Sequence, residues 1–440
     1  MKPRVLMIAY ACDPGGTGEH WLGWGWAEAA SRSFAVDLIT TPKAQVAVEE
    51  SARALGITTH FVTVPPGVRK LTELAGGSWL RKLAWQKRVA RLAAKLHQEK
   101  KFSIVHQTTF HTFRVPFRAA GLGIPSVWGP IAGGERVPPG FERYLGSARL
   151  GELGRNCLNR LSLQTGAIRR SLRQASVLFV SNRTTLNFLP AWCQEKARIV
   201  PANALRPEDE RSADSPANGA HNSVVRGPES DRKIKGFDGT APSGPEPLTT
   251  ELCAPLGKPS AFRLLYVGNC VATRALPIVF EALRYSALSE TELEIVGAGP
   301  ALEGWKRLAV KLGLSTRVKF LGKVPYAQLG AHYAAADALV FPALRDSGGS
   351  ALLEAMARGL PIICLDWGGP GEMLDENSGL KIPVRRPEET VALLAEALVR
   401  LKNEPALGQK VAQAARQRAL SLFRWEAKRE LLEATYRGLL

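Results

Sequence analysis

Two carboxylates, Asp346 and Glu354, flank a glycine-bearing turn in this sequence. An apolar run at 338–341 before the turn predicts a buried strand, and the pattern from Ser350 to Arg358 predicts a helix. A strand that leads through such a turn into a helix directs free backbone N–H groups and the positive end of the helix dipole at one point, which suits phosphate. Carboxylates repel phosphate but accept hydrogen bonds from sugar and ribose hydroxyls. The pattern therefore favours a nucleotide-sugar ligand, and a solvated βαβ crossover is the alternative.

The stretch from Leu339 to Glu372 resembles the donor-binding segment of the retaining family 4 glycosyltransferases of GT-B fold. Members usually carry two glutamates with seven residues between them, and aspartate replaces the first one here. The resemblance implies that Asp346 holds hydroxyls of the transferred sugar and that Glu354 holds the ribose. The backbone amides predicted to receive the diphosphate belong to Gly348, Gly349 and Ser350.

A second donor-binding loop follows the first strand of the C-terminal half and begins at Gly268. Relatives commonly carry glycine-arginine here and lysine-glycine five residues later, and the two cations hold the donor diphosphate. Arg274 stands at the lysine position and can grip phosphate with two hydrogen bonds. Asn269 replaces the arginine and Ala275 replaces the glycine. One charge-assisted contact, worth about 1.5–3 kcal/mol, is thus missing. An unusual donor, a cation borrowed from Lys323 and a weakened enzyme each remain open explanations.

Two further segments of the C-terminal half match the family. The strand at 293–296 runs into a turn that contains Gly299, and a second strand leads to Lys323. The turn continues as Pro-Ala-Leu, which disfavours a nicotinamide cofactor. The resemblance implies that the backbone of residues 320–324 receives the nucleotide base. The residues predicted to contact the donor here are Gly299, Leu321 and Lys323.

Glycines also follow the first apolar run of the chain, in the turn 13–19. This turn lacks the Lys-Ser/Thr of a Walker loop, and Trp21 stands where a dinucleotide fingerprint requires its third glycine. The run resembles the first strand and loop of a subset of the same family. The resemblance implies that Gly16 and Gly18 lie near the donor phosphates and the acceptor.

A histidine follows the short apolar pair 104–105. The pattern predicts that His106 lies at the carboxyl end of a strand, where open α/β sheets place ligand contacts. The family carries a histidine here that contacts the transferred sugar, so the resemblance assigns this role to His106, with His111 as the alternative. A purely structural role is the other interpretation. The acceptor is expected beside Gly133, Gly134 and Glu135. The residues predicted to carry the chemistry are His106, Arg274 and Asp346.

The formal net charge of +18 over 440 residues calls for an anionic partner. Ten basic residues and only two acidic ones lie between Arg69 and Lys101, and the pattern at 79–96 predicts a basic amphipathic helix near Trp79 and Trp85. Such a helix can lie on an anionic membrane or form a solvated outer face. Nucleic acid is disfavoured as a partner, because the basic residues are not interleaved with aromatic residues on strands.

Composition divides the chain into two domains and a linker. Residues 206–260 are rich in Pro, Gly, Ser and charge, which predicts a disordered linker between domains at 1–205 and 261–424, with a closing helix at 425–440. The six cysteines are scattered without a CxxC pair, so neither a zinc site nor a disulfide framework is predicted. Such cysteines are typical of reduced residues in a cytoplasmic protein, which is the expected location. No apolar run approaches about 18 residues, so no transmembrane helix is predicted, and the short first run is expected to be a buried strand.

These observations predict an α/β chain of GT-B fold: two Rossmann-like, doubly wound parallel-sheet domains face a cleft, and the C-terminal helix crosses back to the first domain. The implied reaction is retaining, metal-independent transfer of a sugar from a nucleotide-diphosphate donor to a hydroxyl, without a cofactor. The sequence contains no DxD pair, which agrees with this. A lipid-linked or polysaccharide acceptor at the inner membrane face is expected. A non-catalytic nucleotide-sugar-binding protein is the alternative.

Overall fold

The computed structural model describes residues 2–67, 78–214 and 261–440, and in this part of the chain it contains two parallel β-sheets. The first sheet has seven strands in the order β3-β2-β1-β4-β5-β6-β7. All its neighbouring strands are parallel. Its strands are β1 (Arg4–Ala9), β2 (Ala35–Thr40), β3 (Thr58–Phe61), β4 (Ile104–Gln107), β5 (Ser126–Ile131), β6 (Val177–Val180) and β7 (Ala197–Ile199).

Helices cover both faces of this sheet, so its central strands are fully buried and read as continuous apolar runs. Short 3₁₀ turns connect several of them. The helices of the first half are α1 (Glu19–Ser31), α2 (Gln45–Leu55), α3 (Ser78–Lys100), α4 (Arg149–Gln164), α5 (Gly166–Gln174), α6 (Arg183–Phe188) and α7 (Pro207–Asp214).

The second sheet has six parallel strands in the order β10-β9-β8-β11-β12-β13. The strands are β8 (Arg263–Val267), β9 (Glu292–Val296), β10 (Val318–Gly322), β11 (Ala338–Phe341), β12 (Ile362–Leu365) and β13 (Leu380–Ile382). The helices are α8 (Pro277–Ala282), α9 (Leu302–Lys311), α10 (Leu329–Ala335), α11 (Ser350–Ala357), α12 (Gly368–Met373), α13 (Pro387–Asn403), α14 (Pro405–Leu422) and α15 (Trp425–Arg437).

Strand order reverses once in each sheet, between β1 and β4 in the first and between β8 and β11 in the second. Doubly wound sheets bind ligands outside the carboxyl ends of the strands that flank such a switch point. The loops that follow β8 and β11 carry Gly268, Arg274 and Asp346, so the fold itself brings these separate parts of the sequence to one edge.

The last helix, α15, packs on the first domain. The ring of Trp425 lies 5.5 Å from that of Trp21 and 5.7 Å from that of Trp26, centroid to centroid. A Cβ atom at Gly25 would lie 2.0 Å from the Trp425 ring, so glycine permits this close approach. Tyr436 is fully buried in the core of the first domain. The predicted fold, with its returning helix, is therefore confirmed.

One expectation about local structure is wrong. The linker predicted to be disordered from residue 206 begins with a helix, α7, which packs on α11 and α14. Residues 215–260 lie outside the described part. Residues 142–174 form separate helical segments and not one continuous helix, because Gly146 has φ of 51° and Thr165 is extended. Within the described residues, the helices lack the combination of length and apolarity that crossing a bilayer requires.

Candidate functional site

Asp346 and Arg274 form an ion pair at the carboxyl edge of the second sheet. The turn that bears Arg274 is held there because the Leu344 amide donates to the Thr273 carbonyl at 2.9 Å. The other carboxylate oxygen of Asp346 accepts the Gly348 N–H at 3.2 Å. Both predicted donor-binding side chains therefore meet at one point. In this state each side chain neutralises the other, so an anionic ligand of Arg274 would have to replace this ion pair.

The N terminus of α11 lies beside this pair. The N-cap, Gly349, has extended backbone, and no side chain in the described structure caps the first turn. Uncapped N–H groups at a helix N terminus attract anions. A Cβ atom at Gly348 would lie 2.9 Å from Nδ2 of Asn203, which belongs to the segment that connects the domains. The backbone of this turn thus packs closely against Asn203, which agrees with the glycine at this position.

Glu354 lies one turn further along α11 and accepts a hydrogen bond from the Tyr333 hydroxyl at 2.9 Å. Burial raises the pKa of the Glu354 carboxyl, and the nearby Asp209 carboxylate raises it further. A partly buried carboxylate with lone pairs to spare is suited to accept hydrogen bonds from hydroxyl groups. The geometry is therefore compatible with the ribose contact that the resemblance implies.

A cavity lies between the two domains and reaches Glu354 from the first domain. The N-terminal glycine loop contributes Gly18, which also lies at the N terminus of α1 with φ of 55°. The lining residues are Thr17, Gly18, Trp21, Leu22, Asn203, Ala204, Arg206, Asp209, Tyr326, Ser350, Leu353 and Glu354. The structure therefore joins the first-domain loop to α11, as expected for a donor held across a cleft.

The segment between the domains supplies two site residues that sequence reasoning missed. Arg206 donates to the Gly16 carbonyl at 2.9 Å, and its guanidinium lies 4.9 Å from the ring centroid of Trp21 and 4.7 Å from that of Tyr326. Asp209 accepts a hydrogen bond from the Tyr326 hydroxyl at 3.0 Å. The missed signal is position, because both residues follow β7 at the sheet edge where ligands bind.

The predicted glycines of the second domain serve close packing of two loops. A Cβ atom at Gly299 would lie 2.4 Å from the Cys270 carbonyl oxygen, and one at Gly268 would lie 3.0 Å from the Tyr266 hydroxyl. Ala275, which replaces a glycine of the family, has φ of 45°. An alanine in the left-handed region costs about 1 kcal/mol. The turn therefore holds an alanine in a conformation that glycine adopts at a lower cost.

Three remaining donor candidates are open to solvent. Asn269 and Lys323 are exposed, and the side chain of Leu321 on the edge strand β10 is 43% exposed. They border the loops after β8 and β10, but they do not line the cavity described above. Their contacts with a base or a phosphate stay predictions.

The placement predicted for His106 is wrong. The residue lies inside β4 rather than at its end, and its side chain is fully buried. Burial lowers the pKa of His106 to about 4, so the ring is neutral at pH 7. Its Nε2–H donates to the Gly129 carbonyl at 2.8 Å, and Nδ1 accepts from the Tyr436 hydroxyl at 2.6 Å. Because both nitrogens are used inside the core, the ring fastens α15 to the sheet and does not face a sugar.

His111, the alternative histidine, lies in the loop after β4. Its backbone N–H donates to Glu19 Oε1 at 3.0 Å, and the side chain is only partly buried. Glu19 also receives the Phe110 N–H at 2.6 Å. Glu19 begins α1, next to Gly18, so His111 rather than His106 is the histidine near the glycine loop.

The expectation that Glu135 meets an acceptor is wrong. Its carboxylate is buried and accepts hydrogen bonds from Asn182 Nδ2 at 2.7 Å, Thr185 Oγ1 at 2.9 Å and the Gly133 N–H at 3.0 Å. Gly134 is equally confined, because a Cβ atom there would lie 2.6 Å from the Cα of Thr185. This loop is braced from within and supports the interface between the domains.

Several contacts cross from this loop region to the second domain. Asn182 Nδ2 donates to the Ser347 carbonyl at 3.3 Å, and the Arg183 N–H donates to both carboxylate oxygens of Glu372 at 2.8 Å. Arg345 pairs with Glu152 at 3.1 Å. The loop that bears Asp346 is therefore held against the first domain on one side of the cleft.

Comparison with known proteins agrees with this architecture. Residues 254–418 match the sequence model of the family Glycosyl transferases group 1. A curated relative, the GDP-mannose-dependent alpha-(1-6)-phosphatidylinositol monomannoside mannosyltransferase of Mycobacterium tuberculosis, is 33% identical over 154 residues, which is 33% of this chain and 39% of that protein. The match thus spans about two fifths of the length of this relative.

Solved structures match over both domains. The sucrose-phosphate synthase from Thermosynechococcus elongatus gives a TM-score of 0.59 at 18% identity and covers 100% of this chain and 99% of its own. Anabaena HepE in complex with UDP gives 0.57 at 14% identity and covers 99% and 100%. At these identities the match establishes the fold. Residues 254–418 are therefore similar in sequence to the glycosyl transferases group 1 family, and the chain as a whole has the GT-B fold.

Proposed function

We propose that this protein transfers a sugar, with retention of configuration, from a nucleotide-diphosphate donor to a hydroxyl of a glycan or lipid-linked acceptor. The observation that carries the proposal is the cavity in which Glu354 and Ser350 of α11 lie opposite Gly18 of the first domain. A ligand in it touches both domains, which suits transfer between a donor on one and an acceptor on the other. The matched relative is named for mannosyl transfer to a phosphatidylinositol mannoside, and the HepE structure contains UDP.

The proposed chemistry follows from the charges at the edge of the second sheet. The bond between the anomeric carbon and the donor phosphate breaks, a new bond forms to the acceptor oxygen, and the acceptor proton passes to the leaving phosphate on the same face. Arg274 and the uncapped N terminus of α11 stabilise the negative charge that develops on the leaving diphosphate. We propose metal-independent transfer because these two groups supply the positive charge. Asp346, released from Arg274, accepts hydrogen bonds from sugar hydroxyls.

A degenerate, non-catalytic nucleotide-sugar-binding protein is a second candidate. Two observations favour it: Asn269 takes the place of a cation, and Arg274 is engaged by Asp346. This candidate predicts nucleotide binding without turnover. Incubation of the purified protein with nucleotide sugars and analysis of the released nucleotide diphosphate, with and without glycan acceptors, distinguishes it from the enzyme.

The test of the donor site is Glu354→Gln, with Glu303→Gln as the matched control on an exposed surface pair. Thermal shift with UDP, GDP and their sugars reports binding, because a ligand of the folded state raises its stability. We expect Glu354→Gln to lose the shift that the wild type shows and the control to keep it. An unchanged thermal shift in Glu354→Gln would show that the ribose does not bind at Glu354.

The pH dependence of binding provides a sharper test. Burial raises the pKa of Glu354, and ribose hydroxyls bind its ionised form, so nucleotide affinity is complete above this pKa and falls as the pH drops through it. We expect the affinity of the wild type to fall as the pH drops towards the raised pKa of Glu354. In Glu354→Gln this component is absent, and calorimetric titrations at several pH values measure the difference.

A further inference from the structure

Helix α4 exposes four leucines: Leu150 (79% exposed), Leu153 (56%), Leu158 (56%) and Leu161 (58%). At 3.6 residues per turn they fall within an arc of roughly 140° on one side of the helix. The exposed Cys157 lies in the same arc. Single exposed apolar residues are ordinary, but a continuous apolar face on one helix marks a binding surface. We call these four leucines the leucine face.

The opposite side of α4 holds the helix to the protein. Its buried residues are Glu152, Asn159 and Leu163. Asn159 Nδ2 donates to the Gly133 carbonyl at 2.6 Å, and Glu152 pairs with Arg345 at 3.1 Å. Because these polar anchors fix which side of the helix faces inward, the leucine face is directed outward by the fold and is not a core face that lacks its neighbour.

The exposed charged residues of α4 and of the next helix, α5, are all arginines. Arg149 and Arg160 are exposed along one flank of α4, and Arg170 and Arg173 are exposed on α5, which follows directly. The carboxylate of α4, Glu152, is already engaged by Arg155 at 2.9 Å and by Arg345. A second copy of this chain would place arginines against arginines, whereas an anionic lipid surface would neutralise them.

We propose that α4 docks this protein on an anionic lipid bilayer, with the leucine face in the interfacial region and the flanking arginines at the lipid phosphates. An amphipathic helix that lies in the bilayer plane has this composition: an apolar face beside arginines. The helix predicted for this role is α3, but only one of its two tryptophans can reach a membrane. Trp85 is fully buried, and its Nε1–H donates to the Val62 carbonyl at 3.0 Å. Trp79, 51% exposed, remains available at the start of α3.

The docking helix is connected to the catalytic edge. Glu152 of α4 contacts Arg345, which directly precedes Asp346 in the loop after β11. If sugar transfer proceeds at this edge, as proposed above, the helix that docks on the bilayer with its outer side also braces the loop of Asp346 with its inner side. The docking itself does not depend on that function and is measured without any donor.

Flotation of the full chain with vesicles tests the docking. Vesicles of phosphatidylcholine alone are compared with vesicles that contain phosphatidylglycerol in addition. We expect the wild type to float with the anionic vesicles and not with the neutral ones. Leu150→Gln/Leu161→Gln should reduce the partition coefficient at least about tenfold, since both side chains lose their apolar contact with the interface. The matched control, Val46→Gln/Val310→Gln, replaces two apolar residues that are 79% and 65% exposed elsewhere and should bind as the wild type does.

Arg149→Gln/Arg160→Gln tests the charge. Its control, Arg284→Gln/Lys311→Gln, removes the same net charge from exposed positions of the second domain. We expect only the first pair to weaken binding severalfold. Equal losses of binding in both pairs would show that only the net charge of the protein matters. The proposal would be overturned if Leu150→Gln/Leu161→Gln floated with the anionic vesicles as the wild type does.

Sedimentation equilibrium tests whether a second copy of the chain, and not a bilayer, occupies the leucine face. A wild-type dimer that Leu150→Gln/Leu161→Gln dissociates would assign the leucine face to a second copy of the chain and overturn the lipid proposal. A monomer in both cases supports it. The nucleotide thermal shift is measured on the same variants: if it is retained while flotation fails, the docking is wrong and the donor site stands. If flotation succeeds without a nucleotide shift in the wild type, the docking stands and the proposed function fails.

Discussion

The carboxyl edges of the two sheets carry similar sequence signals but use them differently. At the edge of the second sheet, the polar candidates Asp346, Arg274 and Glu354 lie on loops and on the first turns of a helix, beside the cleft. In the first domain, His106 and Glu135 are buried and every polar group discussed for them has a partner inside the protein. The first domain therefore contributes backbone and surface, while the second contributes charged side chains.

The difference shows what a strand-end signal means. A polar residue that follows a strand faces the ligand edge only if the strand actually ends before it. β11 ends at Phe341, five residues before Asp346, whereas β4 continues through His106 to Gln107. Because β4 is two residues longer than predicted, a predicted sugar contact is instead a hydrogen bond that fastens α15. Three predictions test this contrast.

The largest effect is expected at Arg274. Arg274→Gln removes the side-chain charge proposed to stabilise the leaving diphosphate, so kcat/KM for sugar transfer should fall about 10²–10³-fold. Arg274→Lys should recover part of the loss, because an ammonium supplies charge without the bidentate geometry. Arg400→Gln, from an exposed pair with Glu404, is the control and should behave as the wild type. Activity of Arg274→Gln at the wild-type level would place the diphosphate elsewhere.

His106 should behave in the opposite way, with a cost in stability and none in chemistry. His106→Ala leaves the Tyr436 hydroxyl and the Gly129 carbonyl buried without their partner and opens a cavity, so the free energy of unfolding should fall by about 2–4 kcal/mol. Urea denaturation measures this change. Turnover per folded molecule should not change. A large fall in turnover with unchanged stability would instead show that His106 takes part in sugar transfer.

Lys428 extends the contrast to a buried cation between α15 and the first domain. Its ammonium faces the rings of Trp26 and Phe423 and donates to the Pro201 carbonyl, and burial lowers the pKa of Lys428 to about 7. Between pH 7 and the ordinary lysine pKa near 10.5, the unfolded chain binds this proton and the folded chain does not, so this group makes stability rise with pH.

Lys428→Met removes that dependence. Relative to the wild type, we expect the variant to be most stable at pH 7 and below, and its advantage should shrink as the pH rises towards 10. Denaturation series at several pH values measure the difference. A constant difference across this range would mean that Lys428 keeps its proton in the folded protein.

The strands and turns of the second domain could be predicted closely from the sequence. The apolar runs that form β11 and β12 are short, fully buried and bounded by Pro and Gly, and such runs allow few structures other than parallel strands. The turn before α11 requires glycine and a polar edge, so its type was also fixed locally. For the same reason Asp346, Glu354 and Arg274 could be named before their positions were known.

The first domain and the crossing segment could not be predicted in this way. Arg206 and Asp209 lie in a stretch whose composition indicates disorder, and only packing of α7 on α11 gives them a structure. The leucine face of α4 likewise has the pattern of a core helix, since apolar periodicity does not say which side faces inward.

The sequence by itself therefore determined the element types, because these depend on local backbone chemistry and on burial of apolar runs. Its resemblance to a known family supplied the GT-B fold class and the charged residues predicted for the donor site. Only the tertiary structure decided which polar groups are free to meet a ligand. Whether a histidine, a glutamate or a row of leucines is covered depends on distant segments such as α15, which lies 330 residues from His106 at Tyr436. Long-range packing, which local sequence does not encode, separates structural residues from functional ones in this protein.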